Sequence, residues 1–337
     1  MQPKKISKLA IWAFVLAMTM PFLYIINGTG AFKSIGFFFL VILPPFLTLL
    51  FSITALVQIK KSQGIFIGNF FAIAALMVLS LWVCIIILKP RAKVRSPRLM
   101  QISKFNSIHV ALELFNSEFK TLPPSNRLDP TDTPYCGAMK LAEALMGQDL
   151  MGFWKDSVFR SDGMNSEGTI ELYPKKSDIY DFNFRRGPYL PIEKANAHCL
   201  KEIFENTAPF DGNKYVICDI FTKKRHSGKK IGMPVLYYKA DTSKNSHDVN
   251  NPDNPDNIYN YKDNYDLLAL GVPGQPDKKH PLFEDPTIFY KMTKDYKSRK
   301  VSIPNRIDSF ILISAGPDCL YGTKDDCVNF DMGWKPK

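Results

Sequence analysis

The most informative stretch of the chain lies near its C-terminus and reads Ser309-Phe310-Ile311-Leu312-Ile313-Ser314-Ala315-Gly316-Pro317-Asp318-Cys319-Leu320-Tyr321-Gly322-Thr323-Lys324-Asp325-Asp326-Cys327. Its first six residues predict a strand, and the glycines and proline after them impose turns. Three aspartates then fall within nine residues. Because close carboxylates repel each other unless a cation lies between them, the loop is a candidate Ca²⁺ site. The residues leave one alternative open, an Asp-rich turn whose side chains cap backbone groups.

The oxygen-rich donor set favours calcium over other metals. Carboxylates, hydroxyls and backbone carbonyls are the ligands that Ca²⁺ takes, whereas Zn²⁺ would favour histidine or thiolate. The spacing of an EF-hand is missing.

Further strand-like runs precede this stretch, at 169–173, 214–221 and 234–239. They are rich in Val, Ile, Tyr and Phe and are bounded by turn-forming residues. A helical pattern runs from Ala138 to Met146. Because the strands follow one another without helices between them, we predict an α+β fold with an antiparallel sheet and helices on one face.

A long amphipathic helix is predicted over residues 97–121. Its apolar residues recur at intervals of three and four, which is typical of one helix face. These residues are Leu99, Ile102, Phe105, His109, Leu112, Phe115 and Phe119. The helix ends before Leu122-Pro123-Pro124, because a residue before proline disfavours the helical conformation.

Three uncharged apolar runs occupy the N-terminal region, at 9–26, 35–57 and 65–88. A helix of about 20 residues crosses a bilayer, so residues 1–96 are predicted to form a membrane anchor with two or three transmembrane helices. Buried soluble helices, a signal peptide and two spans with a re-entrant piece are the alternatives. The lipid bilayer is then the first expected partner.

The net charge of +11 is confined to the N-terminal region. Residues 1–98 carry 11 Lys and Arg and no acid, whereas the remainder carries 32 basic and 32 acidic residues. A body without excess positive charge lacks what phosphate binding requires, which excludes nucleic-acid binding. The basic residues do not fix the topology, because five would lie on one side of a membrane and six on the other.

Two resemblances follow from these motifs. The segment Gln58-Ile59-Lys60-Lys61-Ser62-Gln63-Gly64, followed by an apolar run, resembles a small bacterial membrane domain of unknown function and covers about residues 6–90. The strand and loop Ser314-Ala315-Gly316-Pro317-Asp318, with Gly322-Thr323 and Asp325-Asp326, resemble the C-terminal calcium loop of the major pseudopilins of type II secretion systems. The helix that ends in Leu122-Pro123-Pro124 resembles the pilin stem helix.

The second resemblance covers about residues 97–331 and implies a pilin-like periplasmic domain over 97–337. That domain would have a stem helix at 97–121 packed on an antiparallel sheet, an insert at 125–300 and the calcium-type loop at 314–328. The resemblance implies side-chain Ca²⁺ ligands at Asp318 and Asp326, with help from Thr323 and Asp325 and the carbonyl of Ala315. It also implies a bacterial inner-membrane location, multi-pass because of the apolar runs, and secretion-system or pilus-assembly partners.

The chain departs from the pseudopilin pattern at its beginning. No prepilin-peptidase motif is present, and the first acidic residue is Glu113. Three apolar runs stand where a pseudopilin has one span. Assembly into a filament by the usual route is therefore not expected.

Two of the six cysteines, Cys319 and Cys327, stand at the ends of the aspartate loop, where the pseudopilin pattern more often has glycine and an aliphatic residue. This placement predicts a disulfide between them, which would persist in an oxidising compartment. Two free buried thiols are the alternative.

Three functions are compatible with the sequence. The first is an inner-membrane-anchored pseudopilin-like protein with a structural Ca²⁺. The second is a membrane-anchored periplasmic receptor that binds a ligand or partner through a pilin-like fold. The third, a membrane-bound hydrolase, is disfavoured because the chain lacks G-x-S-x-G, H-E-x-x-H and P-loop motifs, and we predict no catalytic residues and no enzyme activity.

Overall fold

The structure is a computed structural model. It describes residues 5–28, 43–61, 66–67, 69–88, 96–174, 184–275, 277–298 and 303–333. Residues 35–42 of the second apolar run, 62–65 of the turn that follows it and the basic segment 89–95 lie outside the described residues. The chain divides into two compact units, Met1–Lys93 and Val94–Lys337.

The first unit contains three helices that pack on one another, α1 (Lys8–Gly28), α2 (Leu43–Lys61) and α3 (Asn69–Leu88). Two clusters of alanines are buried where these helices meet, and small side chains allow helix backbones to approach closely. The clusters are Ala10, Ala55 and Ala72, and Ala13, Ala17 and Ala75. Two short strands, β1 (Lys5–Ile6) and β2 (Phe66–Ile67), pair in parallel in the same unit.

The predicted transmembrane helices are corrected by the structure. In the described part of the chain, no helix combines the length and the apolar composition needed to cross a bilayer. The requirement is about 20 consecutive apolar residues, and α2, for example, has 19 residues and ends in Lys60 and Lys61. The predicted multi-pass inner-membrane location and the membrane-anchored form of the predicted fold both depended on those spans. This finding contradicts both predictions.

The second unit begins with the long helix α4 (Pro97–Phe119). Proline suits the first turn of a helix, where its missing N–H removes no hydrogen bond, and the helix ends at Lys120 in the left-handed conformation. Its buried face carries Phe105, Ile108 and Leu112, which pack against the central sheet.

That sheet has three antiparallel strands in the order β11 (Cys327–Val328), β10 (Phe310–Ser314) and β9 (Leu236–Lys239). Ile313 pairs with Val328 on one side of β10 and with Leu236 on the other. Side chains alternate across a strand, so Phe310 and Leu312 join the core under α4, while Ile311 and Ile313 join a second core on the opposite face. The sheet is therefore covered on both faces.

Short elements complete the second unit. The helices are α5 (Gly137–Met146), α6 (Ile192–Ala195), α7 (Leu200–Ile203), α8 (Tyr265–Ala269), α9 (Pro281–Glu284) and α10 (Thr287–Thr293), with a 3₁₀ turn at Tyr261–Asn264. The paired strands are β3 (Phe153–Trp154) with β4 (Arg185–Arg186), β5 (Ala197–Cys199) with β6 (Tyr215–Ile217), and β7 (Lys223–Lys224) with β8 (Lys230–Ile231).

Two details differ from the sequence predictions. The run 169–173 is not a strand but a turn with one bridge, between Glu171 and Met164. Strand β9 belongs to the central sheet although it lies inside the segment 125–300 that was interpreted as an insert. The segment therefore contributes an edge of the sheet that carries the aspartate loop.

Candidate functional site

The aspartate loop connects β10 to β11 in a tight path. Gly316 has φ +66° and Gly322 has φ +93°, which side-chain-bearing residues rarely adopt. A Cβ on Gly316 would lie 2.1 Å from the carbonyl oxygen of Asp325, and one on Gly322 would lie 2.8 Å from the backbone nitrogen of Leu282. The positive φ angles and these close approaches explain why glycine occupies both positions.

Two of the predicted ligands, Asp318 and Thr323, hydrogen-bond to each other. The Thr323 hydroxyl donates to Asp318 Oδ2 at 2.8 Å, and the Leu320 amide donates to Asp318 Oδ1 at 2.9 Å. Both oxygens of Asp318 therefore stabilise the turn, which is the capping role that the sequence had left open. Asp325 is partly exposed, and Ala315 is buried at the end of the strand.

Asp326 has a different environment, because its side chain is fully buried. The Gly322 amide donates to Oδ2 at 2.8 Å, whereas none of the described residues hydrogen-bonds to Oδ1. Burial raises the pKa of this carboxyl well above its usual value, and the nearby Asp318 and Asp325 raise it further. Whether or not Oδ1 carries the proton, it has no hydrogen-bond partner among the described residues. The loop therefore buries an unsatisfied polar atom, which is energetically costly.

The expected cluster of three carboxylates is corrected by this geometry. Within the described residues, no three His, Cys, Asp or Glu side chains lie together in a way that could hold a metal ion. The reason is local, since Asp318 turns toward Leu320 and Thr323, while Asp326 turns toward Gly322.

The predicted disulfide is also wrong, because Cys319 and Cys327 are both free thiols. Cys319 has φ +66°, and its sulfur lies 4.0 Å from the Arg225 guanidinium. Cys327 begins β11, and its sulfur lies 4.0 Å from the Asp325 carbonyl. The two thiols thus face different neighbours, and both are buried.

A second candidate site is organised by Glu143, which sequence reasoning did not single out. Glu143 lies on α5, a helix with every residue buried. The helix begins against β9, where a Cβ on Gly137 would lie 2.3 Å from the Tyr237 carbonyl oxygen. The sequence feature that could have identified this site is a carboxylate within a short and otherwise largely apolar helix.

Four donors surround the Glu143 carboxyl group. Tyr135 and Gln148 donate to Oε2 at 2.6 and 3.0 Å, while Ser157 and Tyr173 donate to Oε1 at 2.5 and 3.1 Å. Burial raises the pKa of Glu143, and the four donors act in the opposite direction. Because every donor comes from a different part of the chain, the carboxyl group fixes several segments relative to one another.

Tyr135, Gln148 and Tyr173 also line a cleft of about 710 Å³. The lining comes from two segments, residues 133–173 and residues 199–215. It combines aromatic rings with charged and amide groups, which include Asp149, Asp162, Glu171, Cys199, Lys201, Phe210, Asp211, Asn213, Lys214 and Tyr215.

The acids of the cleft fall into two groups. Asp149 pairs with Arg185 at 2.8 Å, and Asp162 pairs with Arg160 at 2.6 Å. Glu171 and Asp211 belong to no ion pair formed within the described residues, and both are exposed.

The lysines of the cleft donate to amide oxygens. Lys201 Nζ lies 2.6 Å from Asn213 Oδ1, and Lys214 Nζ lies 2.8 Å from Gln148 Oε1. The cleft thus presents acceptors and donors that other side chains already hold in position.

Cys199 is the one half-buried thiol among the five cysteines whose side chains are described. Burial raises its pKa, and a hydrogen bond from Tyr215 opposes that effect. The neighbouring His198 contacts Glu202 and Asn196, each at 3.1 Å. The histidine is therefore occupied by other partners, and it does not line the cleft.

Comparisons with known proteins assign this chain to no family, because no family model, curated protein or solved structure matches it. Function has to be argued from the geometry of the two sites.

Proposed function

We propose that the unit Val94–Lys337 is a binding module that holds a small polar ligand in the cleft beside Glu143. The observation that carries the proposal is a cleft of about 710 Å³ with lining side chains fixed by a buried carboxyl group. Ligand sites usually measure about 300–1,000 Å³ and are largely preformed. Side chains that are already held in place lose little conformational entropy when a ligand binds.

The chemistry of the lining favours binding over catalysis. A catalytic cysteine needs a lowered pKa and a base within hydrogen-bond reach, whereas burial raises the pKa of Cys199. The nearest histidine in sequence, His198, is held by Glu202 and Asn196. This arrangement supports a receptor or carrier role.

Protection of Cys199 from alkylation tests the proposal. The full chain is treated with iodoacetamide, and modification of the Cys199 peptide is followed by mass spectrometry with and without small molecules of neutral, cationic, anionic and apolar character. A ligand in the cleft should slow the modification. The Asn213→Trp variant, with a bulky side chain in the lining, should bind the ligand less well, so that adding the ligand should no longer slow the modification. If no class of compound slows the reaction in the wild-type chain, the proposal is wrong.

A second candidate function is a pilin-like subunit of a secretion or pilus-type assembly, stabilised by one Ca²⁺. The packing of α4 on an antiparallel sheet, with the aspartate loop between β10 and β11, supports it. The buried and unpartnered Oδ1 of Asp326 also supports it, because a cation would satisfy that atom. Asp326 Oδ1 would bind the ion directly. Asp318 and Thr323 would have to give up their mutual hydrogen bond to join it, with the carbonyl of Ala315 and Asp325 assisting.

The ion would serve stability. It would neutralise the carboxylates and fix the loop, and at a free concentration about 100-fold above Kd it would add about 2.7 kcal/mol to the free energy of unfolding. The measurement is the Tm of the full chain in EDTA and in excess Ca²⁺. We expect Ca²⁺ to raise the Tm of the wild type and of the control Asp308→Asn, but not that of Asp326→Asn. An equal shift in all three chains, or none in the wild type, would exclude the ion.

A further inference from the structure

A second pocket, of about 380 Å³, lies beside the 3₁₀ turn and shares no lining residue with the cleft beside Glu143. Its lining residues fall within three segments, 124–126, 239–244 and 257–263, and the structure describes each of these segments without a gap. Small-ligand sites usually measure about 300–1,000 Å³. The pocket is therefore a candidate site in its own right, independent of the proposed function of the cleft.

Asp263 contributes a buried carboxyl group to this pocket. The residue is 6% exposed, and the Ser125 hydroxyl donates to its Oδ2 at 2.5 Å. Oδ1 has no hydrogen-bond partner among the described residues, yet it is not sealed from solvent, and Asp263 lines the pocket. Oδ1 is thus an acceptor that a molecule in the pocket can reach.

Two neighbouring lysines do not satisfy this acceptor, because they donate elsewhere. Lys140 Nζ donates to three oxygens of residues 126–128 at 2.7 to 2.9 Å, which uses every N–H of an ammonium group. Lys239 Nζ donates to two oxygens of residues 121–122, each at 3.2 Å. The Asp263 carboxyl group is therefore buried without a counter-ion that bonds to it directly.

Lys244 supplies the second unused group of the pocket. Its Nζ lies 3.6 Å from Asp241 Oδ2, which is beyond hydrogen-bond distance, and it donates to no other acceptor in the described part of the chain. Burial raises the pKa of Asp263 to about 7, and the charge of Lys244 is near enough to oppose that shift. The pocket therefore combines an unbonded carboxyl oxygen with an unbonded ammonium group.

We propose that this pocket binds a small zwitterion that carries one ammonium group and one carboxylate. The ligand ammonium would donate to Asp263 Oδ1, and the ligand carboxylate would accept from Lys244 Nζ. Charge-assisted hydrogen bonds of this kind are stronger than neutral ones. A simple cation would be repelled by the lysines of the lining, and a simple anion by Asp241 and Asp263.

Isothermal titration of the full chain tests the proposal with three zwitterions, glycine, β-alanine and γ-aminobutyrate, whose charges lie at increasing separations. Ethylamine and acetate each carry one of the two charges and serve as matched probes. At least one zwitterion should bind at least about tenfold more tightly than either matched probe, because it alone makes both charged hydrogen bonds. Binding of ethylamine or acetate with equal affinity, or no binding of any zwitterion, would overturn the proposal.

Variants identify the residues responsible. Asp263→Asn retains an acceptor for Ser125 but removes the charge, so it should weaken zwitterion binding about tenfold. Lys244→Gln should weaken it about threefold, because this partly exposed charge is screened by water. The control Asp256→Asn removes an exposed carboxylate outside the lining and should leave the affinity unchanged.

The proposal is overturned if the control weakens binding as much as the two pocket variants do. Near-ultraviolet circular dichroism shows whether each variant is folded. If Asp263→Asn does not fold, Lys244→Gln decides the outcome, because Lys244 is 35% exposed and packs little of its side chain.

The pH dependence gives a readout that a merely structural role of Asp263 would not move. Only the ionised carboxylate attracts an ammonium group, so the affinity should rise about fivefold from pH 6 to 7, as the ionised fraction of Asp263 grows. Asp263→Asn should lose this dependence. A wild-type affinity that does not change with pH would contradict the proposal.

The other groups around Asp263 keep their charge in this range. Burial lowers the pKa of Lys140 only to about 8, and it raises the pKa of each nearby tyrosine. The charged and titratable groups that face Asp263 are Lys140 on α5, Lys244 in the loop after β9, Tyr237 and Tyr238 on β9, and Tyr290 on α10.

The alkylation rate of Cys199 separates this site from the cleft beside Glu143, because Cys199 lines the cleft and not this pocket. A zwitterion bound beside Asp263 should not slow the alkylation. A zwitterion that slows it and binds Asp263→Asn with unchanged affinity occupies the cleft, which would overturn this proposal and support the proposed function.

Discussion

Asp263 shows at the scale of one residue how burial changes the behaviour of a carboxyl group. It lies in the 3₁₀ turn Tyr261–Asn264 with its side chain buried, and the Ser125 hydroxyl donates to Oδ2 at 2.5 Å. Burial raises its pKa to about 7, although the hydrogen bond from Ser125 and the charge of Lys140 act in the opposite direction. Below about pH 7, the protonated form is therefore favoured in the folded state.

The raised pKa of Asp263 predicts a pH-dependent contribution to stability. The pKa of an aspartate in the unfolded chain is about 3.9, and that of Asp263 in the folded chain is about 7. Between these two pH values the folded state binds more protons than the unfolded state. Its contribution to the free energy of unfolding is thus complete at low pH and is lost as the pH rises through 7. Relative to Asp263→Asn, the wild type should lose up to about 1.4 kcal/mol per pH unit between pH 5 and 7. Urea unfolding measures this difference, with Asp308→Asn as the control, and a constant difference would refute it.

The cysteines of the aspartate loop provide a second prediction at this scale. Cys319 and Cys327 are buried and free, so neither should react with iodoacetamide in the folded chain. Both should react completely once the chain is unfolded in urea without a reductant. Mass spectrometry of the alkylated peptides decides the outcome. Recovery of a linked 319–327 peptide would contradict the structure.

At the scale of elements, the packing of α4 on the central sheet organises the second unit. Its buried side chains meet residues from all three strands, including Tyr237, Phe310 and Cys327. The opposite face of the helix is exposed, with Val110 at 59% and Leu114 at 50% exposure. This difference separates residues that stabilise the fold from residues that do not.

Truncation of two leucines on the same helix tests this packing. Leu112→Ala should lower the free energy of unfolding by about 2–5 kcal/mol, because it opens a cavity between the helix and the sheet. The matched variant Leu114→Ala removes the same atoms from an exposed position and should change it by less than about 0.5 kcal/mol. Chemical denaturation of both variants gives the comparison. Similar losses in both would mean that α4 does not pack as described.

At the scale of the whole molecule, the two units have separate cores. The described cores of the first unit lie among residues 9–78, and those of the second lie among residues 105–332. A unit that buries its own apolar side chains is expected to fold independently.

Removal of the first unit tests this independence. A fragment that begins at Val94 should unfold cooperatively, with a Tm within a few degrees of the corresponding transition in the full chain. Differential scanning calorimetry on both chains provides the comparison, and near-ultraviolet circular dichroism checks that the fragment has fixed tertiary packing. A fragment without a cooperative transition would show that its core depends on the first unit.

The sequence alone determined the elements with strong local patterns. The three- and four-residue spacing of Phe105, Leu112 and Phe115 predicted the helix that the structure places at Pro97–Phe119, and the apolar run 309–314 predicted β10. Periodicity and turn residues are local signals, so they can be detected without knowledge of the fold. The run 169–173 shows their limit, because these strand-forming residues make one bridge, between Glu171 and Met164, and otherwise lie in a turn.

Only the tertiary structure decided which distant side chains meet. Spacing along the sequence predicted that Asp318, Asp325 and Asp326 share an ion and that Cys319 bonds to Cys327. In the structure the backbone at Gly316, Cys319 and Gly322 has positive φ, and these side chains contact separate neighbours. Conversely, Tyr135, Gln148, Ser157 and Tyr173 share no local pattern, yet they converge on Glu143. Three of them, Tyr135, Gln148 and Tyr173, also line the cleft. Side-chain direction and long-range contact depend on how the backbone folds in three dimensions, and spacing along the chain does not specify either one.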